Sequence, residues 1–253
     1  ITITGTNGKS TTSLLLYKIL LAHKKEAKLI GNIGIPMLSI GKISKKTIFV
    51  IEASSYQIEY SQYFKTDYAM ILNIATDHLE RHENIQKYAN AKFKLINNQD
   101  KNSYSYIDKN DKYLKKEESK KKYKSKIQMV NYSNFKKLKK KIKNPYFHNL
   151  NNIQNLSFIL EIAKQLKLKD KIILKSVNSF KGLSFRQQII KKNKNFTIIN
   201  DSKSTSFSSS LNLLKSYKNI FWILGGLSKK NDEFKLPSKY FKNIKCYIYG
   251  KDK

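Results

Sequence analysis

The chain opens with a short β-branched segment, a glycine-bearing loop and the start of a helical pattern, and this order constrains the fold more than any other feature. Residues 1–12 read ITITGTNGKSTT, and apolar residues continue at helical spacing through 14–21. Gly5 and Gly8 allow the backbone to turn its N–H groups toward an anion, and the helix N-terminus adds the positive end of its dipole. The segment therefore predicts the phosphate-binding loop of an α/β protein.

The side chains of this loop indicate nucleotide chemistry. We expect Lys9 to reach the β- and γ-phosphates, and the hydroxyl of Ser10 or Thr11 to ligate Mg²⁺. The general form of the motif has a glycine five residues before Gly8, where this chain has Ile3. The segment is thus a shorter form, and the alternative interpretation is a glycine-rich turn without a ligand. The nucleotide contacts predicted here are Gly5, Thr6, Asn7, Gly8, Lys9, Ser10 and Thr11.

Length and composition limit the class of protein. With 253 residues, 40% of them hydrophobic, the chain can bury the core of one large domain or of two ordinary ones. It has one cysteine, Cys246, and therefore cannot form an internal disulfide. No apolar run approaches the ~18 residues of a membrane-spanning helix. We expect a cytoplasmic protein without a secretory signal or a membrane partner.

The formal net charge of +32 raises the question of a nucleic-acid partner. Almost all of the positive charge is lysine, because arginine occurs only at Arg81 and Arg186. Nucleic-acid readers generally use arginine for bidentate contacts with phosphate and guanine. The chain is also rich in asparagine and isoleucine, as proteins of AT-biased genomes are. We interpret the charge mainly as a solvated lysine surface, with a functional basic patch as the alternative, and expect no nucleic-acid partner.

Strand and helix patterns alternate through the first hundred residues, which predicts a mostly parallel sheet covered on both faces. Continuous apolar runs typical of buried parallel strands lie at 47–51 and 68–74, and helical patterns lie at 55–63 and 84–97. Residues 100–143 are rich in lysine, serine, asparagine and tyrosine with weak periodicity, and we predict short strands and loops there.

A second domain is predicted after a hinge at 181–183. Helical patterns at 152–166 and 172–180 precede the hinge. Strands are expected beyond it at 197–200, 220–226 and 246–249, with a helix at 206–214. The predicted fold class is α/β. A P-loop mononucleotide-binding central domain (1–180) is followed by a partial Rossmann-like domain (181–253).

Three polar segments follow predicted strands, where parallel sheets bind ligands. Glu52 ends an apolar strand beside the loop, where it could hold Mg²⁺ or be a solvated loop acid. His78 lies in the segment DHLERH (77–82) and could ligate a metal, act in acid–base chemistry or be structural. The segment NDSKSTS (200–206) could cap a helix, or Asp201 and Lys203 could orient a nucleotide and an acidic substrate.

Seven blocks in order along the chain together resemble the Mur ligase family. They are Gly5–Thr11, Gly31–Gly34, Glu52–Gln57, Asp77–Arg81, His148–Asn152, Gly182–Arg186 and Asn200–Thr205. The second and the last block favour the member that adds D-glutamate. The resemblance implies an ATP-dependent ligase of peptidoglycan precursor synthesis, with Mg²⁺ as cofactor. It would phosphorylate the carboxylate of UDP-N-acetylmuramoyl-L-alanine, and the amine of D-glutamate would attack the acyl phosphate.

The resemblance also implies roles for individual residues. Lys9 and Ser10 match phosphate and Mg²⁺ contacts, Glu52 an Mg²⁺ ligand and His78 a ligand of a second Mg²⁺ ion. Lys92, which spacing alone does not single out, matches a lysine that is carbamylated in the family. A carbamate could ligate Mg²⁺, whereas an ammonium could not. Lys9, Lys92 and His78 are the implied catalytic residues. The remaining matches are Asn32 and Ser54 near the muramoyl substrate, Asn149 and Asn152 at adenine, Arg186 and Asp201 at the nucleotide, and Lys203, Thr205 and Lys229 around D-glutamate.

The resemblance leaves three alternatives and one expectation about extent. We expect a monomeric fragment that lacks the family's N-terminal UDP-binding domain and the end of its C-terminal domain. The alternatives are a sibling ligase that adds another amino acid, a folylpolyglutamate synthase and, more remotely, a basic P-loop protein that binds nucleic acid. Amino-acid-dependent phosphate release would separate the first two from the D-glutamate ligase. Salt-sensitive binding of DNA or RNA would indicate the third.

Overall fold

The computed structural model describes residues 1–204, 206–227, 234 and 237–250. The chain divides into two compact units, Ile1–Phe180 and Lys181–Lys253. We refer to them as the first and the second unit.

The first unit is built on a six-stranded sheet in the order β2-β3-β1-β4-β5-β6, in which every described pairing is parallel. Its strands are β1 (Thr2–Thr4), β2 (Ala27–Gly31), β3 (Ile48–Glu52), β4 (Tyr68–Ile71), β5 (Tyr104–Asp108) and β6 (Lys126–Val130). Central β1 pairs with β3 on one side and β4 on the other, so the carboxyl ends of these three strands lie together. The predicted parallel sheet is confirmed.

Helices cover both faces of this sheet, as its apolar strands require. They are α1 (Lys9–Ala22), α2 (Ser55–Tyr60), α3 (Leu79–His82), α4 (Ile85–Asn97), α5 (Lys112–Glu118), α6 (Ser133–Leu138), α7 (Leu150–Gln165) and α8 (Asp170–Asn178). Alternate strand residues face opposite cores. Ile3 and Met70 pack with α1, α7 and α8, whereas Ala69 and Ile71 pack with α2 and α4.

The prediction of short strands for 100–143 is confirmed by β5 and β6, but it missed the helices α5 and α6. This segment continues the alternation of strand and helix through β5, α5, β6 and α6. Its apolar signal is diluted because β6 is an edge strand whose side chains are mostly exposed, and because Tyr104 and Tyr106 stand where aliphatic residues usually mark a buried strand. The helix predicted at 55–63 ends at Tyr60, and the strand predicted at 68–74 ends at Ile71.

The second unit contains two separate pairs of strands in its described part. β7 (Gln188–Lys192) pairs antiparallel with β8 (Thr197–Asn200), and β9 (Ile220–Gly225) pairs parallel with β10 (Ile244–Tyr249). Helix α9 (Phe207–Ser216) lies between β8 and β9 in the chain. The sequence prediction missed β7, whose side chains are half-buried or exposed. A search of the described residues for a helix long and apolar enough to cross a membrane found none.

Candidate active site

The segment predicted to bind phosphate, residues 5–8, connects β1 to α1, and we refer to it as the phosphate loop. Gly8 precedes the helix in the left-handed region, at φ 87°, and a Cβ atom added there would collide with Oδ1 of Asn155. Gly5 also has a positive φ, of 149°. Glycine is required at position 8 for both its conformation and its close approach to α7.

Lys9 closes over the loop from the first turn of α1. Its Nζ donates to the carbonyl oxygens of Gly5 and Thr6, each at 2.9 Å. Ser10 follows it in a half-buried position, and the Thr11 hydroxyl lies 3.3 Å from the hydroxyl of Tyr146. A cation held against the loop, beside the positive end of a helix, is the electrostatic arrangement that binds phosphate groups.

Glu52 is almost completely buried at the carboxyl end of β3, with 1% of its surface exposed. Its Oε1 accepts a hydrogen bond from Nδ2 of Asn32 at 3.1 Å. Its Oε2 is buried and has no hydrogen-bond partner among the described residues. A buried carboxylate oxygen without a donor is costly, and a hydrated cation would satisfy it. The residues present therefore fit Mg²⁺, and the interpretation of Glu52 as a solvated loop acid was wrong.

Lys92 is buried within α4, with 1% of its surface exposed. Its Nζ donates to Oγ1 of Thr4 at 3.3 Å and to the carbonyl oxygen of Gly5 at 3.2 Å, and lies 4.4 Å from the ring centre of Tyr88. Burial, followed by the charge of Lys9, lowers the pKa of Lys92 well below its usual value. The structure thus places a buried lysine with a lowered pKa directly behind the phosphate loop.

His78 lies beyond β4 in the left-handed region, at φ 54°. Its Nδ1 is 3.3 Å from the Tyr56 hydroxyl, and its ring lies edge-on to Tyr88 at 6.2 Å. The ring of Tyr88 therefore links His78 with Lys92. His82 is buried instead, with Nε2 3.0 Å from Oγ of Ser55, and burial lowers the pKa of its imidazole. His82 supports the packing of α2 against α3 and α4.

No group of three or more His, Cys, Asp and Glu side chains forms a metal site within the described ranges. Mg²⁺ commonly binds through one or two carboxylates together with substrate phosphates and water. The buried carboxylate of Glu52, with one oxygen lacking a partner among the described residues, fits that pattern.

The asparagines of α7 meet the phosphate loop from the other side. Asn149 caps α7 by accepting from the Asn152 N–H at 2.9 Å, and Asn152 donates to the carbonyl oxygen of Tyr146 at 2.7 Å. Asn155, one turn further along, contacts Gly8. The predicted adenine contacts are thereby fixed on an element that touches the loop.

Ser54 has a local role in the structure. It caps α2 in a reciprocal arrangement with Gln57, whose N–H donates to Oγ of Ser54 while its side chain accepts from the Ser54 N–H. In the described part of the chain, the hydroxyl of Ser54 hydrogen-bonds Gln57.

In the second unit, Arg186 and Asp201 lie together. Asp201 accepts from the Gln187 N–H at 2.9 Å and from the Ser204 hydroxyl at 2.7 Å, while Nε of Arg186 is buried without a hydrogen-bond partner among the described residues. Burial raises the pKa of Asp201 in spite of these bonds. The cap of α9 is Ser206 rather than Asp201. Lys203 is exposed, and Thr205 and Lys229 lie outside the described residues.

Sequence reasoning assigned no role to two residues of the first unit. Asn73 hydrogen-bonds the backbone of the phosphate loop, and Tyr88 lies between Thr6, His78 and Lys92. Asn73 follows an apolar strand in the sequence, as Glu52 does, and that position was its one available signal.

The model of the Mur ligase middle domain matches residues 3–175. The chain belongs to the Mur ligase family. The resemblance carried by the seven blocks is therefore confirmed, as is the predicted α/β fold.

Two curated relatives of this chain are ligases of the same name. UDP-N-acetylmuramoylalanine–D-glutamate ligase of Rickettsia prowazekii (strain Madrid E) is 34% identical over all of this chain and 60% of its own length. The ligase of the same name from Buchnera aphidicola subsp. Schizaphis graminum is 36% identical over all of this chain and 61% of its own. The chain thus spans about three fifths of the length of these relatives.

Solved structures of Mur ligases share the fold. MurF of Thermotoga maritima, determined in complex with ADP, has a TM-score of 0.70 at 17% identity and covers 89% of this chain and 59% of its own. MurF of Acinetobacter baumannii has a TM-score of 0.65 at 16% identity, over 88% of this chain and 56% of its own. At these identities the likeness establishes the fold.

Proposed function

We propose that this chain carries the ATP-dependent machinery of a Mur ligase that joins D-glutamate to UDP-N-acetylmuramoyl-L-alanine, in a cytoplasmic, monomeric enzyme. The first unit would be the ATP-binding central domain and the second unit part of the C-terminal ligase domain. The observation that carries the proposal is the arrangement of Lys9, Glu52 and Lys92 around one phosphate loop.

The chemistry divides into two transfers. The substrate carboxylate oxygen attacks the γ-phosphorus of ATP, so that an acyl phosphate forms and ADP leaves. The D-glutamate nitrogen then attacks the acyl carbon, loses a proton and displaces inorganic phosphate. Phosphorylation is needed because oxide is a very poor leaving group from a carboxylate.

The residues of the first unit suit the first transfer. Lys9 would neutralise the charge that develops on the transferred phosphoryl group, and the α1 N-terminus would orient it. Glu52 and Ser10 would hold Mg²⁺, which supplies charge neutralisation and a template for the phosphates. His78 would serve a second ion.

Lys92 is the best-supported candidate for carbamylation. Carbamate formation requires the neutral amine, whose nitrogen bonds to the carbon of CO₂ and releases a proton. Burial favours that neutral form. The product would replace the amine with an oxygen pair able to ligate Mg²⁺, beside the hydroxyl of Thr4.

The choice of D-glutamate rests on the relatives. Both curated ligases named above use it, and they match this chain along its whole length. We propose that Asn32, held against Glu52, and Ser54 contact the muramoyl substrate, that Asn149, Asn152, Arg186 and Asp201 contact the nucleotide, and that Lys203, Thr205 and Lys229 contact D-glutamate.

The deciding experiment measures phosphate release from Mg·ATP by the full product of the gene. We expect release to require both UDP-N-acetylmuramoyl-L-alanine and D-glutamate. Each of L-lysine, meso-diaminopimelate and L-glutamate replaces D-glutamate in parallel reactions. Release that depends on one of these instead would assign the chain to a sibling ligase or to a folylpolyglutamate synthase.

Lys92→Ala tests the carbamate within the same assay. We expect it to abolish release and a small carboxylate to restore part of it. Lys94→Ala, on the same helix, is the matched control and should retain activity. Loss of activity in Lys92→Ala that no carboxylate rescues would argue against a carbamate.

A further inference from the structure

Asn73 makes a two-point contact with the phosphate loop. Its Oδ1 accepts a hydrogen bond from the Asn7 N–H at 2.8 Å, and its Nδ2 donates to the carbonyl oxygen of Asn7 at 3.1 Å. Its own carbonyl oxygen accepts from the Thr6 N–H at 2.9 Å. Three hydrogen bonds with one residue therefore fix three consecutive peptide units of the loop, from Gly5–Thr6 to Asn7–Gly8.

The backbone that carries Asn73 is itself held on both sides. The Leu72 N–H donates to the carbonyl oxygen of Thr4 at 2.9 Å, which continues the pairing of β4 with β1. The Ile74 N–H donates to Oδ2 of Asp111 at 2.7 Å, and the Ala75 N–H to Oγ1 of Thr6 at 2.9 Å. Asn73 thus stands on a rigid support rather than on a free loop.

The contact also determines which loop amides can reach an anion. Phosphate loops bind through backbone N–H groups that point at the ligand. Here the Thr6 and Asn7 N–H groups point at Asn73 instead. These two N–H groups are therefore directed away from a phosphate held at the α1 N-terminus.

We propose that Asn73 is a positioning residue that holds the phosphate loop in its binding geometry and keeps the Asn7 amide out of the phosphate contacts. The inference rests on the proposed function for the identity of the ligand. Its physical basis is preorganisation, because a loop with glycines at two positive-φ positions would otherwise lose conformational freedom on binding.

The test compares Asn73→Ala with Asn98→Ala. Asn98 is a matched control because it is also half-buried and donates to two backbone carbonyl oxygens, those of Gln62 and Phe64, away from the loop. Calorimetry measures the Kd of ATP and of adenosine with Mg²⁺ present. We expect Asn73→Ala to raise the Kd of ATP at least tenfold and that of adenosine less than twofold. Asn98→Ala should leave both Kd values within twofold of the wild type.

A second variant separates the two hydrogen bonds of the Asn73 side chain. Asn73→Asp keeps the acceptor for the Asn7 N–H but loses the donor to the Asn7 carbonyl oxygen. We expect it to weaken ATP as well, while the Asn7 amide stays protected from hydrogen exchange. In Asn73→Ala that amide should exchange at least tenfold faster than in the wild type.

These readouts distinguish failure of the inference from failure of the proposed function. A wild-type chain that binds no nucleotide would refute the proposed function. The exchange rate of the Asn7 amide would still show whether Asn73 holds the backbone of the phosphate loop. Unchanged exchange in Asn73→Ala would overturn the inference. So would an equal loss of ATP and adenosine affinity, because a merely structural role would affect both alike.

Discussion

The two units of this chain hold their candidate site residues in different ways. In the first unit, Glu52, Lys92 and Asn152 are almost fully buried, and each has a named partner on another segment. In the second unit, Arg186 and Asp201 are half-buried, and Lys203 is exposed. The first unit is organised around a continuous parallel sheet, whereas the described strands of the second form two separate pairs.

On the proposed function, this difference predicts that most of the binding free energy for phosphate comes from the first unit. Buried polar groups keep their geometry without a ligand. The phosphate loop is therefore ordered on folding, and little further conformational entropy is lost when a ligand binds. We therefore expect substitutions at the site residues of the first unit to affect nucleotide binding or stability strongly. Substitutions at the second unit's site residues should have small effects on both.

The largest effect is expected for Gly8→Ala. The alanine would have to keep a strained φ of 87°, and its Cβ atom would collide with Oδ1 of Asn155. Strain and overpacking together should lower the free energy of unfolding by about 3 kcal/mol. Urea unfolding followed by circular dichroism measures this loss.

Gly41→Ala is the control, because nothing lies within 4 Å of a Cβ atom added at Gly41. We expect its effect to stay within about 0.5 kcal/mol. The double variant Gly8→Ala/Asn155→Ala removes the collision but not the backbone strain, so it should recover part of the loss. An equal loss in both glycine variants would show that position 8 has no special constraint.

Lys9→Ala should weaken ATP about 100-fold, or about 2.7 kcal/mol, with little change in stability. The loop would lose the ammonium that now bridges the carbonyl oxygens of Gly5 and Thr6. Lys203→Ala, the corresponding change in the second unit, should weaken ATP less than threefold. Equilibrium binding of a fluorescent ATP analogue measures both, and equal losses would refute the contrast between the units.

The sequence predicted those site residues whose contacts are local, and it missed residues whose contacts are distant in the chain. Lys9 and Gly8 were predictable because their roles depend on the local strand, loop and helix. Lys92 could be assigned only through the family resemblance, because its burial depends on how α4 packs against β1 and β4. Asn73 remained unassigned, since a two-point contact across 66 residues leaves no local pattern.

The same reasoning explains the errors in the fold. Residues 100–143 have weak apolar periodicity because β6 has only one neighbouring strand and keeps its polar side chains in solvent. Strands β8 and β9 pair with β7 and β10, respectively, and pairing partners cannot be deduced from the pattern of a single strand.

Lys92 should make stability depend on pH in a defined direction. Its pKa is lowered in the folded state, so unfolding takes up a proton at any pH between the folded and unfolded values. The free energy of unfolding should then rise with pH through that interval, by up to about 1.4 kcal/mol per pH unit, and level off above the usual lysine pKa.

Urea unfolding between pH 7 and pH 11 in CO₂-free buffer measures this slope. Lys92→Met should be more stable than the wild type at pH 7. Its free energy of unfolding should lose the dependence on pH that comes from Lys92. Lys94→Met, on the same helix, should retain it. Identical slopes in all three proteins would mean that Lys92 is not buried as an amine.

The smallest effect is expected for Asp201→Asn in the second unit. Burial raises the pKa of Asp201 in the folded state, so the folded form holds its proton to higher pH, and stability falls as the pH rises from the unfolded to the folded pKa. Asparagine keeps Oδ1 as acceptor for the Gln187 N–H and carries no charge to desolvate. We therefore expect the free energy of unfolding to change by less than about 1 kcal/mol at pH 7 and to lose its dependence on pH in the acid range.

The chain's one tryptophan, Trp222 in β9, reports unfolding of this unit by fluorescence. A destabilisation as large as that of Gly8→Ala would show that the Asp201 contacts are as constrained as the phosphate loop, and the contrast between the units would no longer hold.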